Sequence, residues 1–231
     1  MNFIFIILIF LISAVIARIL IPRILLISLR KKLFDIPDDR KVHKRAIPRL
    51  GGVSFFPTTL FAFCLVYTFR LLGGDSVSTL YASYLLPELL LFACGMTLLY
   101  LTGIADDLVG VRYRQKFVIQ IFCACLFPLS GLWINDLYGL FGIHELSVYV
   151  GIPFTILTVV FITNAINLID GIDGLASGLS SVALLIFTFL FIEKGLWSYA
   201  MLAAGTFGVL VPFFYYNVFG SVERARKIFM G

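Results

Sequence analysis

The groups able to do chemistry crowd into three short stretches. In NAINLIDGIDGLASG, residues 164–178, Asn164 and Asn167 precede Asp170 and Asp173, directly after the uncharged run FTILTVVFIT. Asn164 and Asn167 are three apart, so on a helix they share one face. Amides inside an apolar segment need partners, either on other helices or on a ligand and its metal. Gly171 and Gly174 then break the helix around the two aspartates. A calcium-binding EF-hand loop is excluded, because its other ligands and closing glutamate are absent.

In TGIADDLVGVRYRQKFVIQ, residues 102–120, Asp106 and Asp107 are adjacent and Lys116 follows nine residues after Asp107. Two neighbouring carboxylates repel each other. Either Arg112 and Arg114 neutralise them, or they form a base or a divalent-cation site. Oxygen-only ligands suit Mg²⁺, which is commonly held by one or two carboxylates together with substrate phosphates. Lys116 is well placed for a phosphate. The third stretch is FDIPDDRKVHKRAIPRLGG, residues 34–52. Pro37, Pro48 and the Gly51-Gly52 pair forbid a continuous helix, so a loop is expected. It serves as a positive anchor or, through its glycines, as a close backbone approach to an anion. Taken together these are hard oxygens and cations, with no Cys/His cluster and no serine triad. That set fits Mg²⁺-assisted phosphoryl transfer, in which the protein positions phosphates and spreads charge.

The elements that must carry these groups are helices in lipid. The chain is 61% hydrophobic and only 13% charged, with a mean hydropathy of +1.03. Such a chain cannot hide its apolar surface from water, so an all-α integral membrane protein is expected. Seven runs of spanning length are predicted: Asn2–Ile21, Val53–Leu72, Leu85–Ala105, Phe117–Ile134, Val148–Ile169, Ala176–Ile192 and Leu196–Tyr216. The first lacks a basic leader region and a cleavage site, so it reads as a retained helix. No linker or repeat divides residues 1–231, and one polytopic domain is expected. Of the 18 Lys and Arg residues, only Arg70 and Lys194 lie away from the loops 30–52, 106–116 and 217–231 and the helix end beside them. Those loops are therefore expected to be cytoplasmic, with the N-terminus outside. The same face would carry Asp106, Asp107, Asp170 and Asp173. The net charge of +5 is explained by this topology and by anionic lipid, and nucleic acid is not implied. Segment 135–147 is the longest outer loop, with room for a short interfacial helix and a solvated His144. Cys123 and Cys125 should point to different faces of one helix.

These motifs, in this order, resemble the polyprenyl-phosphate N-acetylhexosamine-1-phosphate transferases. The matching pieces are RKVHKRAIPRLGG, GIADD followed by Lys116, NAINLIDGIDGLASG, and FFYYN ending at Asn217. The RKVH…PRLGG loop is closer to the branch that begins O-antigen than to the peptidoglycan branch. The resemblance implies transfer of a sugar 1-phosphate, GlcNAc-1-phosphate first among the choices, from a UDP-N-acetylhexosamine to undecaprenyl phosphate, releasing UMP. It implies Mg²⁺, with Mn²⁺ an alternative, and a bacterial cytoplasmic membrane. Asp106, Asp107 and Asp170 would be catalytic. Asn167 and Asp107 would serve the metal. Lys116, Asn164, Asp173, Asn217, Phe229 and His43 would bind substrates, Asp173 near the uracil and Phe229 stacked on it, with Asp106 and Lys116 facing the lipid phosphate. The family continues after KIFMG with a metal-binding aspartate and further spans. The chain, which stops at Gly231, is therefore expected to be the front part of a longer protein. The alternative is a non-catalytic polyprenyl-phosphate-binding or assembly subunit. A transporter would need broken helices in inverted halves, and no such symmetry is present.

Overall fold

The computed structural model describes residues 2–31, 33–35, 47–48, 50–73, 76–220 and 228, with the backbone alone for 34–35, 47–48 and 76–84. Among the described residues seven α-helices follow one another: α1 Asn2–Arg30, α2 Phe55–Leu72, α3 Ser76–Val109, α4 Tyr113–Leu129, α5 Val148–Ile169, α6 Leu175–Glu193 and α7 Trp197–Val218. Between α1 and α2 lie two strands of two residues each, β1 Phe34–Asp35 and β2 Ile47–Pro48. They pair antiparallel, Phe34 opposite Pro48 and Asp35 opposite Ile47. A single turn of 3₁₀ helix at Gly51–Ser54 leads into α2. Among the described residues, six helices are long and apolar enough to cross a membrane. The seventh, α4, has 17 residues, at the short end of the spanning range of about 17–25. The protein is a multi-pass α-helical membrane protein.

The chain forms two compact units, Met1–Asp75 with Leu168–Gly231, and Ser76–Asn167. In the first, α7 is the central helix, with 61% of its span buried. Its inward face is small: Ala203, Ala204, Gly205 and Gly208 are all buried or close-packed. Lipid tails offer helices no hydrophobic reason to associate, so close backbone approach through small residues supplies the van der Waals contact. Gly208 is the tightest point, since a Cβ there would lie 2.5 Å from Phe10 O and 3.1 Å from Ser13 Cβ. The facing stripe on α1 is Ile6, Ile9, Ser13, Ala17, Ile21, Leu25 and Ser28, spaced by threes and fours as one helix face requires. Toward its lower end Ala17, Ile21, Leu25, Val209, Phe213 and Ile228 close into one core cluster. Phe55 of α2 meets Phe213 edge-on at 4.9 Å. Where α1 ends, Ser28 and Leu33 exchange bonds: the Leu33 amide and the Ser28 hydroxyl each donate at 2.9 Å, to Ser28 O and Leu33 O. This turns the chain into β1.

In the second unit α3 and α4 form a hairpin through Gly110–Arg112, with Gly110 at φ +72°. The sequence predicts a fourth span ending at Ile134, but α4 ends at Leu129. The reason is a competing bond. The chain turns at Gly131 (φ +94°), and Ile134 N–H is donated to Thr155 Oγ1 of α5 at 2.8 Å. The Trp133 ring lies where any Gly151 side chain would be. Segment 135–147 carries a bridge between Asp136 and Glu145 and a short 3₁₀ turn at Leu140–Gly142, with His144 exposed. Cys123 is buried and Cys125 exposed, on different faces as their spacing predicts.

Candidate functional site

The α3–α4 turn is organised by one carboxylate. Asp106 sits in the last turn of α3, where helix carbonyls and the residues beyond are short of partners. Its Oδ1 accepts from Val111 N–H at 3.0 Å, and its Oδ2 pairs with Lys116 Nζ at 2.8 Å. The carboxylate thus fixes the turn with one oxygen and aims the lysine with the other. The pair is part-exposed, 27% for Lys116 and 30% for Asp106, so an incoming anion can reach the ammonium. Lys116 also lies in the first turns of α4, where the helix dipole favours negative charge. Asp107, the next residue, is half-buried.

One turn further along α4 is a residue whose role the spacing alone did not reveal. Gln120 is 5% exposed, a polar side chain inside an apolar helix. Its Oε1 accepts from Asn164 Nδ2 of α5 at 2.8 Å, and the same amide donates to Val160 O at 2.8 Å. Asn164, expected at the substrate, therefore anchors α5 to α4 through its Nδ2 group. Gln120 and Lys116 are four apart and share a helix face. That position, the lone amide among KFVIQIFCACLF, was the available signal. Asn167, one turn beyond Asn164, is exposed and free of such packing.

The first unit contains the other aspartates. Helix α5 stops at Ile169 and α6 begins at Leu175, so Asp170 and Asp173 lie in the intervening turn, both half-buried. Gly174 makes the turn possible twice over. Its φ is +74°, and a Cβ would collide with Val218 Cγ2. Gly174 N–H donates to Asn217 Oδ1 at 2.6 Å, while Asn217 Nδ2 donates to Ile228 O at 3.0 Å. Asn217 is 2% exposed. Asn217, expected at the substrate, has both ends of its amide held by backbone. It joins the Asp170–Asp173 turn to the segment just before Phe229. His43 and Phe229 themselves lie outside the described residues.

The donors are all oxygens or cations. Among the described residues no group of three or more His, Cys, Asp and Glu could hold an ion on its own. A hard cation that takes part of its shell from ligand phosphates asks for only one or two carboxylates, and a part-exposed carboxylate such as Asp107 fits that chemistry.

A family model described as glycosyl transferase family 4 matches residues 89–231, more than half the chain. The chain is 29% identical over 223 residues to a probable undecaprenyl-phosphate N-acetylglucosaminyl 1-phosphate transferase of Bacillus subtilis strain 168, covering 96% of this chain and 57% of the relative. It is 30% identical over 207 residues to the undecaprenyl-phosphate alpha-N-acetylglucosaminyl 1-phosphate transferase of Escherichia coli strain K12, covering 86% and 50%. It is 29% identical over 251 residues to a phospho-N-acetylmuramoyl-pentapeptide-transferase of Staphylococcus carnosus, covering 100% and 71%. The chain spans about half the length of the Bacillus and Escherichia relatives.

Proposed function

The chain belongs to glycosyl transferase family 4, and from that premise we propose that it transfers GlcNAc-1-phosphate from UDP-GlcNAc to undecaprenyl phosphate. The product is an undecaprenyl diphosphate sugar, the first lipid intermediate of an envelope polysaccharide, made at the cytoplasmic face of a bacterial inner membrane. The observation that carries this reading is the part-exposed Asp106–Lys116 pair at the head of α4. A lysine held by a carboxylate but open to anions can exchange one oxygen partner for another, which is what recruiting a phosphate requires.

In the step itself an oxygen of undecaprenyl phosphate attacks the sugar-bearing phosphorus of the donor, and the bond from that phosphorus to the UMP oxygen breaks. UMP leaves with the electron pair. A phosphate monoester is already ionised at neutral pH, so no strong base is needed. The work of the chain is to bring like-charged groups together. Lys116, aimed by Asp106, would neutralise the lipid phosphate. Asp173 and Phe229 would take the uracil, with His43 and Asn164 toward the donor and Asp170 close to the reacting phosphates. Mg²⁺, or Mn²⁺ in its place, would be held by Asp107 and Asn167 together with donor oxygens, supplying charge neutralisation on the diphosphate. Asn217 and Gln120 act at a remove, by fixing the elements that carry these groups.

The test is UMP release by protein purified at its native length, with undecaprenyl phosphate and either UDP-GlcNAc or UDP-GalNAc. Release with UDP-GlcNAc, lowered about 100-fold or more in Lys116→Ala, is the expected result. Retention of undecaprenyl phosphate without any UMP would instead identify a lipid-binding subunit.

A further inference from the structure

The membrane surface of the first unit contains an arginine that the reaction does not use. Arg18 of α1 is exposed. Its guanidinium lies 5.2 Å from the ring centroid of Tyr215 and 5.3 Å from that of Tyr216, both on α7. These are cation–π distances, and they fix the plane of the guanidinium while leaving its N–H edge for oxygen acceptors. Among the described residues no carboxylate pairs with it. Beside Arg18 an open trench of about 460 Å³ runs between the helices, walled by Leu11, Val15 and Ile19 of α1 and by Val211 and Pro212 of α7. Pro22 follows four residues after Arg18 within α1. Proline has no N–H, so the Arg18 carbonyl lacks its helical donor. The spot therefore presents a fixed cation, a spare acceptor and an apolar furrow.

We propose that this trench holds one anionic phospholipid of the surrounding leaflet, phosphatidylglycerol in chemistry. An acyl chain would lie in the furrow, the phosphate on Arg18, and a glycerol hydroxyl on the free carbonyl. Depth agrees with this. Arg18 is about 24 Å along the helix from Asn2 at 1.5 Å per residue, close to the far edge of a hydrocarbon layer about 30 Å thick. Arginine reaches the interface from such positions, and tyrosine is enriched there. A polyprenyl phosphate awaiting reaction is a poorer fit, because among the described residues no carboxylate, amide or second cation lines the trench. It can read a charge and cannot act on it. A helix from a second copy would bury the guanidinium against apolar side chains, at a cost the rings alone do not offset. The inference rests on the membrane fold and not on the transferase reading.

Native mass spectrometry of the protein released from vesicles of equimolar phosphatidylglycerol and phosphatidylcholine tests it. The expected result is one retained phosphatidylglycerol per chain, favoured about tenfold over phosphatidylcholine, equivalent to about 1.4 kcal/mol. Arg18→Gln should abolish the preference, and Tyr215→Leu, which keeps the charge but loosens its hold, should weaken it. Equal retention of the two lipids by the unaltered protein would overturn the proposal without reliance on any variant. So would a preference that survives Arg18→Gln, or a trench closed by dimerisation with no lipid retained.

Discussion

Asp106 and Asn217 each fix a turn of the candidate site by accepting from a backbone amide. Asp106 divides its oxygens between a backbone amide and Lys116. For its neighbour Asp107 the proposed task is to hold Mg²⁺ together with donor oxygens. Asp107→Asn is expected to lower UMP release about 100-fold or more while leaving membrane insertion intact; near-normal turnover would remove that carboxylate from the chemistry. Asn217 is buried and holds two backbone groups 11 and 43 residues away. Replacing it with alanine leaves the Gly174 N–H without its acceptor, a loss of about 1–3 kcal/mol for a buried group. Hydrogen exchange at Gly174 should then quicken markedly, and an unchanged rate would show that the turn stands without its latch. That Asp106 and Lys116 belong together was legible only through the family resemblance, since on residue types alone Arg112 and Arg114 were the expected partners of the aspartates. The Asn217 latch was not legible, since nothing local reveals which distant amide a buried side chain will meet.

Among the helices, existence was legible and burial was not. Runs of about 20 apolar residues announce themselves by length alone. A helix that is apolar all round carries no stripe to mark its inward face, so the sequence did not single out α7. Its small residues were the only hint. The position of α4 illustrates the other limit: a predicted end at Ile134 gave way to a hydroxyl on α5 that competed for the same N–H. Close packing at Gly208 yields a direct check. Gly208→Val would push against Phe10 O and Ser13, an overpacking expected to cost about 1–3 kcal/mol, and thermal melting in detergent should fall accordingly. Gly103, which has nothing within 4 Å of a built Cβ, is the matched control: Gly103→Ala should not lower the melting point.

Over the whole molecule the distribution of Lys and Arg predicts which ends of the helices face the cytoplasm. A cysteine at Tyr138, 88% exposed in the segment between α4 and α5, should react with a membrane-impermeant maleimide added to intact cells. One at Val109, 82% exposed beside the α3–α4 turn, should react only after the membrane is opened. The reverse pattern would invert the topology and with it the proposed access of a nucleotide sugar.

The pairing of α1 with α7 also has a consequence in time. Helix α1 is made first, yet its buried stripe faces a helix that begins at Trp197. At about 5–20 residues per second, on the order of ten to thirty seconds pass before that partner leaves the ribosome. Throughout this interval Ser13, fully buried in the finished protein, sits in lipid or against a chaperone. A nascent chain halted before Trp197 should therefore be an early substrate for membrane quality control, and release of that hold would mark the moment α7 arrives.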